Sequence, residues 1–362
     1  MPRRRTKKPL GIVDWAIMLL VVAGLGVLAY PFVSDAYASY RNQQVIDSYQ
    51  AQETKKNAKA LQAEYRAYQK KNQALLKADQ PPGLSQFNNA VNTEGTANTD
   101  AKRDQKKLTT ETIARLTIPR IGVSLPIFER TTDWLLQFGV CLLDGTSYPT
   151  GGKGTHAVLS GHRGVPNATL FTRLPELKSG DKFFIKIGGR TLAYQVFKRQ
   201  VIEPTDITKL KPVAGQDLVT LMTCTPYMVN SQRLLITGRR VPYHAADAQV
   251  SRWVALWNKL KLVVWALAGL VLLALLGRMG RNLMIARTLY QLDIPAVATA
   301  VVVARGRHQR HLAADDAGVY SAQLPGGRYR VAITTARGVE TYRAYVKHRR
   351  DRRFTLKRRR HE

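Results

Sequence analysis

Cysteine is nearly absent from this chain: Cys141 and Cys224 are the two in 362 residues. A single possible pairing excludes the disulfide framework of small secreted scaffolds. Neither cysteine sits in a zinc-type spacing, so the sequence predicts no metal and no cofactor. Acidic residues are also scarce, 25 Asp and Glu against 56 Lys and Arg, for a net charge of +31. That excess invites a nucleic-acid reading, but its distribution argues otherwise. From Arg278 onward stand 19 Lys and Arg against 6 Asp and Glu, with no zinc-finger spacing or RNA-binding aromatic signature among them. Basic clusters next to an apolar run read as contacts to anionic lipid. The expected partner of the tail is a membrane surface, and no nucleic acid.

Long apolar runs number two. The first spans residues 12–33, follows a basic segment at 1–11 and carries only Asp14. The second runs from Leu262 to Leu276, and 257–277 reach spanning length if Lys259 and Lys261 extend to the interface. A bilayer core takes about 20 apolar residues, and lysines near a helix end can snorkel to it. Positive charge precedes the first run and follows the second. The positive-inside rule then predicts a cell-membrane protein with both termini cytoplasmic and residues 35–255 outside. A cleaved signal is the alternative for the first run, because Ala36-Tyr37-Ala38 has a small-residue pattern.

The length allows two or three domains. Residues 34–112 begin with a Gln-, Lys-, Ala- and Glu-rich stretch at 40–78 that favours a helix or helical pair. Pro81-Pro82-Gly83 ends it, and the polar residues 84–110 read as a linker or mobile loop. Between 113 and 245 the texture becomes β-rich. Apolar runs at 114–118, 124–128, 157–159, 182–187, 191–201, 218–222 and 234–239 are separated by Gly, Pro and Asp turns. This spacing predicts a closed or nearly closed barrel. Residues 278–362 hold further alternating runs at 297–304, 329–334, 341–346 and 354–356, a small basic β-sandwich-like domain. The fold class is therefore mainly β, with N-terminal helices and two transmembrane helices.

Cys224 stands in Leu221-Met222-Thr223-Cys224-Thr225-Pro226-Tyr227, where a strand run meets a proline. Arg233 opens the next strand run, so a hairpin at 225–232 would return it to the same sheet end. His162 lies on a glycine-flanked loop, Ser160-Gly161-His162-Arg163-Gly164, a place where scaffolds present functional groups. A thiol near Arg or His⁺ has its thiolate favoured, which makes these three the candidate catalytic residues. Thr223, Tyr227 and Asn230 are candidate substrate-binding residues. His156 reads as structural, and Cys141 as a small buried apolar residue.

These motifs resemble the sortases of Gram-positive bacteria, closest to the class C, pilus-assembling group. The resemblance covers about residues 113–243. It rests on Leu116-Thr117-Ile118-Pro119-Arg120-Ile121, Leu125-Pro126-Ile127, Gly145-Thr146-Ser147, Thr155 through Gly164, Leu170-Phe171-Thr172, Thr223 through Tyr227, and Arg233-Leu234-Leu235. It implies an eight-stranded sortase β-barrel and a cysteine transpeptidase that cleaves a Leu-Pro-x-Thr-Gly-type sorting signal. The acyl group would pass through a Cys224 thioester to an amine, with His162 as acid and base and Arg233 holding substrate or oxyanion. The implied partners are surface proteins or pilins and an amine acceptor, a pilin lysine or, alternatively, a peptidoglycan peptide. A non-catalytic membrane scaffold is the remote alternative. The group's lid, an Asp-Pro-aromatic tripeptide over the site, has no counterpart between residues 40 and 112. The expectation is a missing or divergent lid and weaker self-inhibition.

Overall fold

The structure, a computed structural model, describes residues 12–78, 81–92, 101–165, 168–294, 298–336, 338–348 and 350–358. The basic segment 1–11, Asp79-Gln80 within the lid region and Val297 at a predicted strand start lie outside the described residues.

Among the described residues four helices come first: α1 (Ile12–Lys55), α2 (Ala58–Ala78), α3 (Leu84–Asn92) and α4 (Ala101–Glu111). Eight strands follow: β1 (Thr112–Ile118), β2 (Val123–Phe128), β3 (Val140–Leu142), β4 (Thr155–Ser160), β5 (Lys182–Ile187), β6 (Arg190–Ile202), β7 (Asp217–Thr225) and β8 (Gln232–Val241), with the short helix α5 (Asp133–Leu136) between β2 and β3. They close into a barrel in the order β1-β2-β3-β4-β7-β8-β6-β5, with β5 returning to β1. The pairs β2/β3 and β4/β7 are parallel, and the other pairs are antiparallel. The predicted barrel and its seven strand runs are present, and the three-residue β3 is an addition.

The linker expected at 84–110 is helical at both ends, in α3 and α4, while 93–100 lie outside the described residues. α3 folds because Leu84, Phe87 and Ala90 recur at helical spacing and bury one stripe against the barrel. β7 explains where that stripe lands. Val219 and Leu221 fill the barrel interior with Leu116, Ile185 and Ile236. Met222 and Cys224, on the other face, join Phe87, Leu108, Leu136 and Val158 in a second cluster outside the barrel. A strand buried on both faces reads as a continuous apolar run rather than an alternating one.

The lower part of α1 and the start of α6 (Ala245–Arg287) also rest on this unit. Tyr49 Oη donates to the Ile113 carbonyl at 2.7 Å, and Lys259 of α6 pairs with Asp47 of α1 at 2.6 Å. Both helices are long and apolar enough to cross a membrane. Their apolar runs expose Leu19, Leu20, Val27, Leu28, Leu270, Val271 and Leu273, which a water-facing surface would not favour.

Beyond α6 come β9 (Leu289–Ile294), β10 (Ala300–Arg305), β11 (His308–Leu312), β12 (Tyr320–Pro325), β13 (Arg328–Thr335), β14 (Gly338–Tyr345) and β15 (Thr355–Arg358). They form a five-stranded sheet, β11-β10-β13-β14-β15, and a two-stranded sheet, β12-β9. Tyr290, Leu292, Val301, Val303, Tyr329, Val331 and Phe354 make one core from both sheets.

Candidate active site

β7 and β8 bring Cys224 and Arg233 together. In the antiparallel ladder Cys224 is the direct register partner of Arg233, and opposite residues carry Cβ atoms about 5 Å apart. Parity along β8 puts Arg233 on the face of Leu235, which belongs to the outer cluster with Cys224.

His162 arrives by a different route. β4 runs parallel to β7, with Ser160 level with Met222, and Gly161 N–H extends the ladder to the Met222 carbonyl at 3.0 Å. Two further residues on each chain bring His162 and Cys224 to the same barrel end. The hydroxyl of Thr223 donates to the Gly161 carbonyl at 2.7 Å and is fully buried. Thr223 therefore ties the His162 loop to β7 from the face opposite Cys224, which leaves its backbone for the expected substrate contact.

The charges are arranged around a closed site. Burial pushes the Cys224 thiol up, while Arg233 and Arg163 pull it down. Burial lowers the His162 imidazole, opposed by the Asp133 carboxylate at the start of α5. Desolvation disfavours each charged form, so near neutral pH this arrangement favours a thiol and a neutral imidazole. Cys141 is buried and free, its thiol pushed up by burial. Cys224 is also free, so no disulfide removes the nucleophile.

Arg163 is a member of the site that the sequence reading passed over. Its Nη1 donates to Thr225 Oγ1 at 3.0 Å and to the Cys224 carbonyl at 3.4 Å, and its guanidinium lies 5.7 Å from the Tyr227 ring centre. It stands beside His162 in the same motif, but only the parallel β4/β7 register shows that it reaches β7. Tyr227 is half exposed on the β7–β8 loop with the exposed Met228 and Val229. Asn230 adopts φ 59° and its carbonyl accepts from Arg233 Nη1 at 2.8 Å. Tyr227 thus borders the site, and Asn230 orients Arg233.

His156 behaves as expected of a structural residue. Its ring is buried between the Lys211 carbonyl at 3.0 Å and Thr220 Oγ1 at 2.7 Å. It sits four residues before Ser160 on β4, away from the Cys224 end.

The site is covered. Asn88 Oδ1 accepts from Arg233 Nε at 3.1 Å and from Nη2 at 2.8 Å, while Nη1 donates to the Asn230 and Gln232 carbonyls. Phe87 is fully buried, with its ring centre 5.6 Å from the Arg233 guanidinium. Cys224 and Arg233 are each 3% exposed. Of the expected missing or divergent lid, the divergent alternative fits: α3 packs against the site, with Phe87 and Asn88 both on the Arg233 guanidinium.

A thiol facing a fixed cation, with an imidazole at the same barrel end, is equipped for acyl transfer through a thioester, the class of chemistry of a cysteine acyltransferase or hydrolase. Comparison with known proteins narrows the class. Residues 116–241 match the sortase domain model. Sortase A of Bacillus anthracis is 28% identical over 225 residues, covering 62% of this chain and 91% of that protein. The solved Streptococcus agalactiae sortase C1 is 36% identical over 57% of this chain and 98% of its own, with a TM-score of 0.48. Streptococcus pneumoniae sortase C is 35% identical over 56% of this chain and 98% of its own, with a TM-score of 0.47. Residues 116–241 are thus a sortase domain, and sortases are cysteine transpeptidases.

Proposed function

We propose that this protein is a membrane-anchored sortase that cleaves a Leu-Pro-x-Thr-Gly-type signal between Thr and Gly and joins the Thr carbonyl to a pilin lysine. The observation that carries the reading is the Cys224–Arg233 pair across β7 and β8, with the His162 loop laced to the same strand end. The Cys224 sulfur attacks the Thr carbonyl carbon as its proton passes to His162. Arg233, freed from Asn88, stabilises the charge developing on the carbonyl oxygen. The Thr–Gly bond breaks as His162 protonates the departing Gly amine, leaving a thioester. A lysine amine then attacks the thioester, His162 takes its proton, and the thiol is regenerated.

The motif resemblance and two spanning-length helices support the pilus-assembling reading over wall anchoring. The catalytic barrel then faces outward, with both termini cytoplasmic. Ala36 is fully buried within the continuous helix α1, which favours a retained anchor over a cleaved signal. The basic β9–β15 domain lies against the anionic inner leaflet. Incubating the full chain with a sorting-signal peptide and either a pilin or a wall-peptide amine tests the acceptor. Pilin-lysine product supports pilus assembly, whereas exclusive use of the wall amine contradicts it. Digestion of the 278–362 region by protease added to intact cells would contradict the topology.

A further inference from the structure

The membrane end of α1 meets the loop that carries His162. Asp35 stands two residues beyond the apolar run of α1. Its Oδ1 accepts the Thr169 backbone N–H at 3.1 Å, and its Oδ2 faces Lys261 Nζ of α6 at 3.4 Å. Lys261 also approaches Ser39 Oγ at 3.5 Å. The Asp35 and Lys261 side chains are 26% and 21% exposed, so the pair is more sheltered from solvent than the Asp47–Lys259 pair between the same helices, 43% and 47% exposed. Phe32 and Trp265 stack across the two helices with centroids 5.5 Å apart.

The two described parts of the loop beginning at His162, 162–165 and 168–172, are bonded to each other. Phe171 N–H donates to the His162 carbonyl at 3.0 Å, and Gly164 N–H donates to Thr172 Oγ1 at 3.2 Å. Directly after Thr169, the buried Leu170 holds φ at 37°, a sparsely populated conformation that persists where its surroundings over-determine it. The Asp35 bond thus grips this loop one residue before its most constrained position. Among the described residues Asp35 contacts Thr169 and Lys261 rather than Cys224, His162 or Arg233, so its effect on chemistry passes through the backbone that places His162.

We propose that Asp35 is a positioning residue, through which the packed ends of the two spanning helices fix the His162 loop relative to Cys224. The role rests on the catalytic reading of His162. It makes the anchor part of the active-site geometry: when α1 and α6 are packed, Thr169 is held and the imidazole is set. A displacement of about 1 Å at a catalytic group can cost up to a hundredfold in rate, so a single backbone tether has ample leverage.

The test uses the full chain in nanodiscs of anionic lipid, with a sorting-signal peptide and an amine acceptor. Asp35→Ala removes both the acceptor for Thr169 and the partner of Lys261. Asp35→Asn keeps an acceptor oxygen and loses only the charge. The expected result is a kcat lowered about tenfold in Asp35→Ala with an unchanged peptide KM, and most of the rate restored in Asp35→Asn. Hydrogen exchange should rise across 163–172 in Asp35→Ala and stay unchanged along β7. If the unpaired Lys261 prevents folding, Asp35→Ala with Lys261→Leu removes that charge and should still show the low kcat. A folded variant without the Thr169 acceptor and with wild-type kcat overturns the proposal, as does equal loss in Asp35→Ala and Asp35→Asn. His162→Ala, run alongside, separates the two claims. An active His162→Ala overturns the catalytic assignment itself, whereas an inactive one beside a wild-type Asp35→Ala overturns only the positioning role.

Discussion

Cys224 faces Arg233 directly across the β7–β8 ladder, and the guanidinium is held on Asn88 of α3. The cation that the proposed chemistry requires is therefore engaged by the chain's own helix at rest. Arg233→Gln should lower transpeptidation by about a hundred- to a thousandfold, the usual cost of removing a donor to a developing oxyanion. Arg233→Lys should recover only part, because an ammonium lacks the planar fork. Steady-state rates with a sorting-signal peptide check both, and near-wild-type turnover in Arg233→Gln would remove Arg233 from the mechanism.

The cover should respond to its smallest contact. Hydrogen bonds to a charged group contribute about 1.5–3 kcal/mol, so Asn88→Ala should raise Cys224 alkylation by about ten- to a hundredfold at neutral pH. Phe87→Ala should act in the same direction, since it empties the ring site beside Arg233. Labelling rates unchanged in both variants would mean that α3 does not limit access.

Burial sets the sign of the pH dependence. The Cys224 thiol is raised by burial and the His162 imidazole is lowered by it. Alkylation of the covered protein should therefore keep increasing with pH beyond the ordinary thiol range, about 8.5. Opening α3 by Asn88→Ala should move the Cys224 midpoint down and the His162 midpoint up, toward their ordinary values. A Cys224 midpoint below the ordinary thiol range in the covered protein would contradict this.

Arg163 supplies a second cation beside the thiol, and it ties the His162 loop to Thr225. Arg163→Ala should raise the Cys224 thiol midpoint further and slow acyl-enzyme formation, with Tyr227 losing its cation neighbour. Arg163→Lys should retain the charge effect but not the Thr225 contact. Stopped-flow acylation across a pH series distinguishes these, and an unmoved thiol midpoint in Arg163→Ala would rule out its electrostatic role.

The barrel was legible because β5, β6, β7 and β8 are long apolar runs cut by turn residues. β3 escaped because Val140–Leu142 is only three residues long and owes its pairing to Phe128 and Ser160 neighbours far along the chain. Cys224, His162 and Arg233 are candidates on their motifs alone. Their juxtaposition needed the β4/β7 register, and so did the part played by Arg163. α3 was hidden by its composition: Asn, Gln and Ser outnumber its apolar residues, yet Leu84, Phe87 and Ala90 mark the buried stripe at intervals of three. Asn88 had no signal of its own, because its partner lies 145 residues away.

The central claim is covalent catalysis at Cys224. The most direct measurement is intact-mass and peptide-level mass spectrometry of the full chain mixed with a Leu-Pro-x-Thr-Gly-type peptide and no amine acceptor. The account predicts an adduct equal to the peptide up to its Thr, located on Cys224, released by hydroxylamine and absent from Cys224→Ala. Peptide cleavage that persists in Cys224→Ala, or an adduct on any other residue, would contradict it.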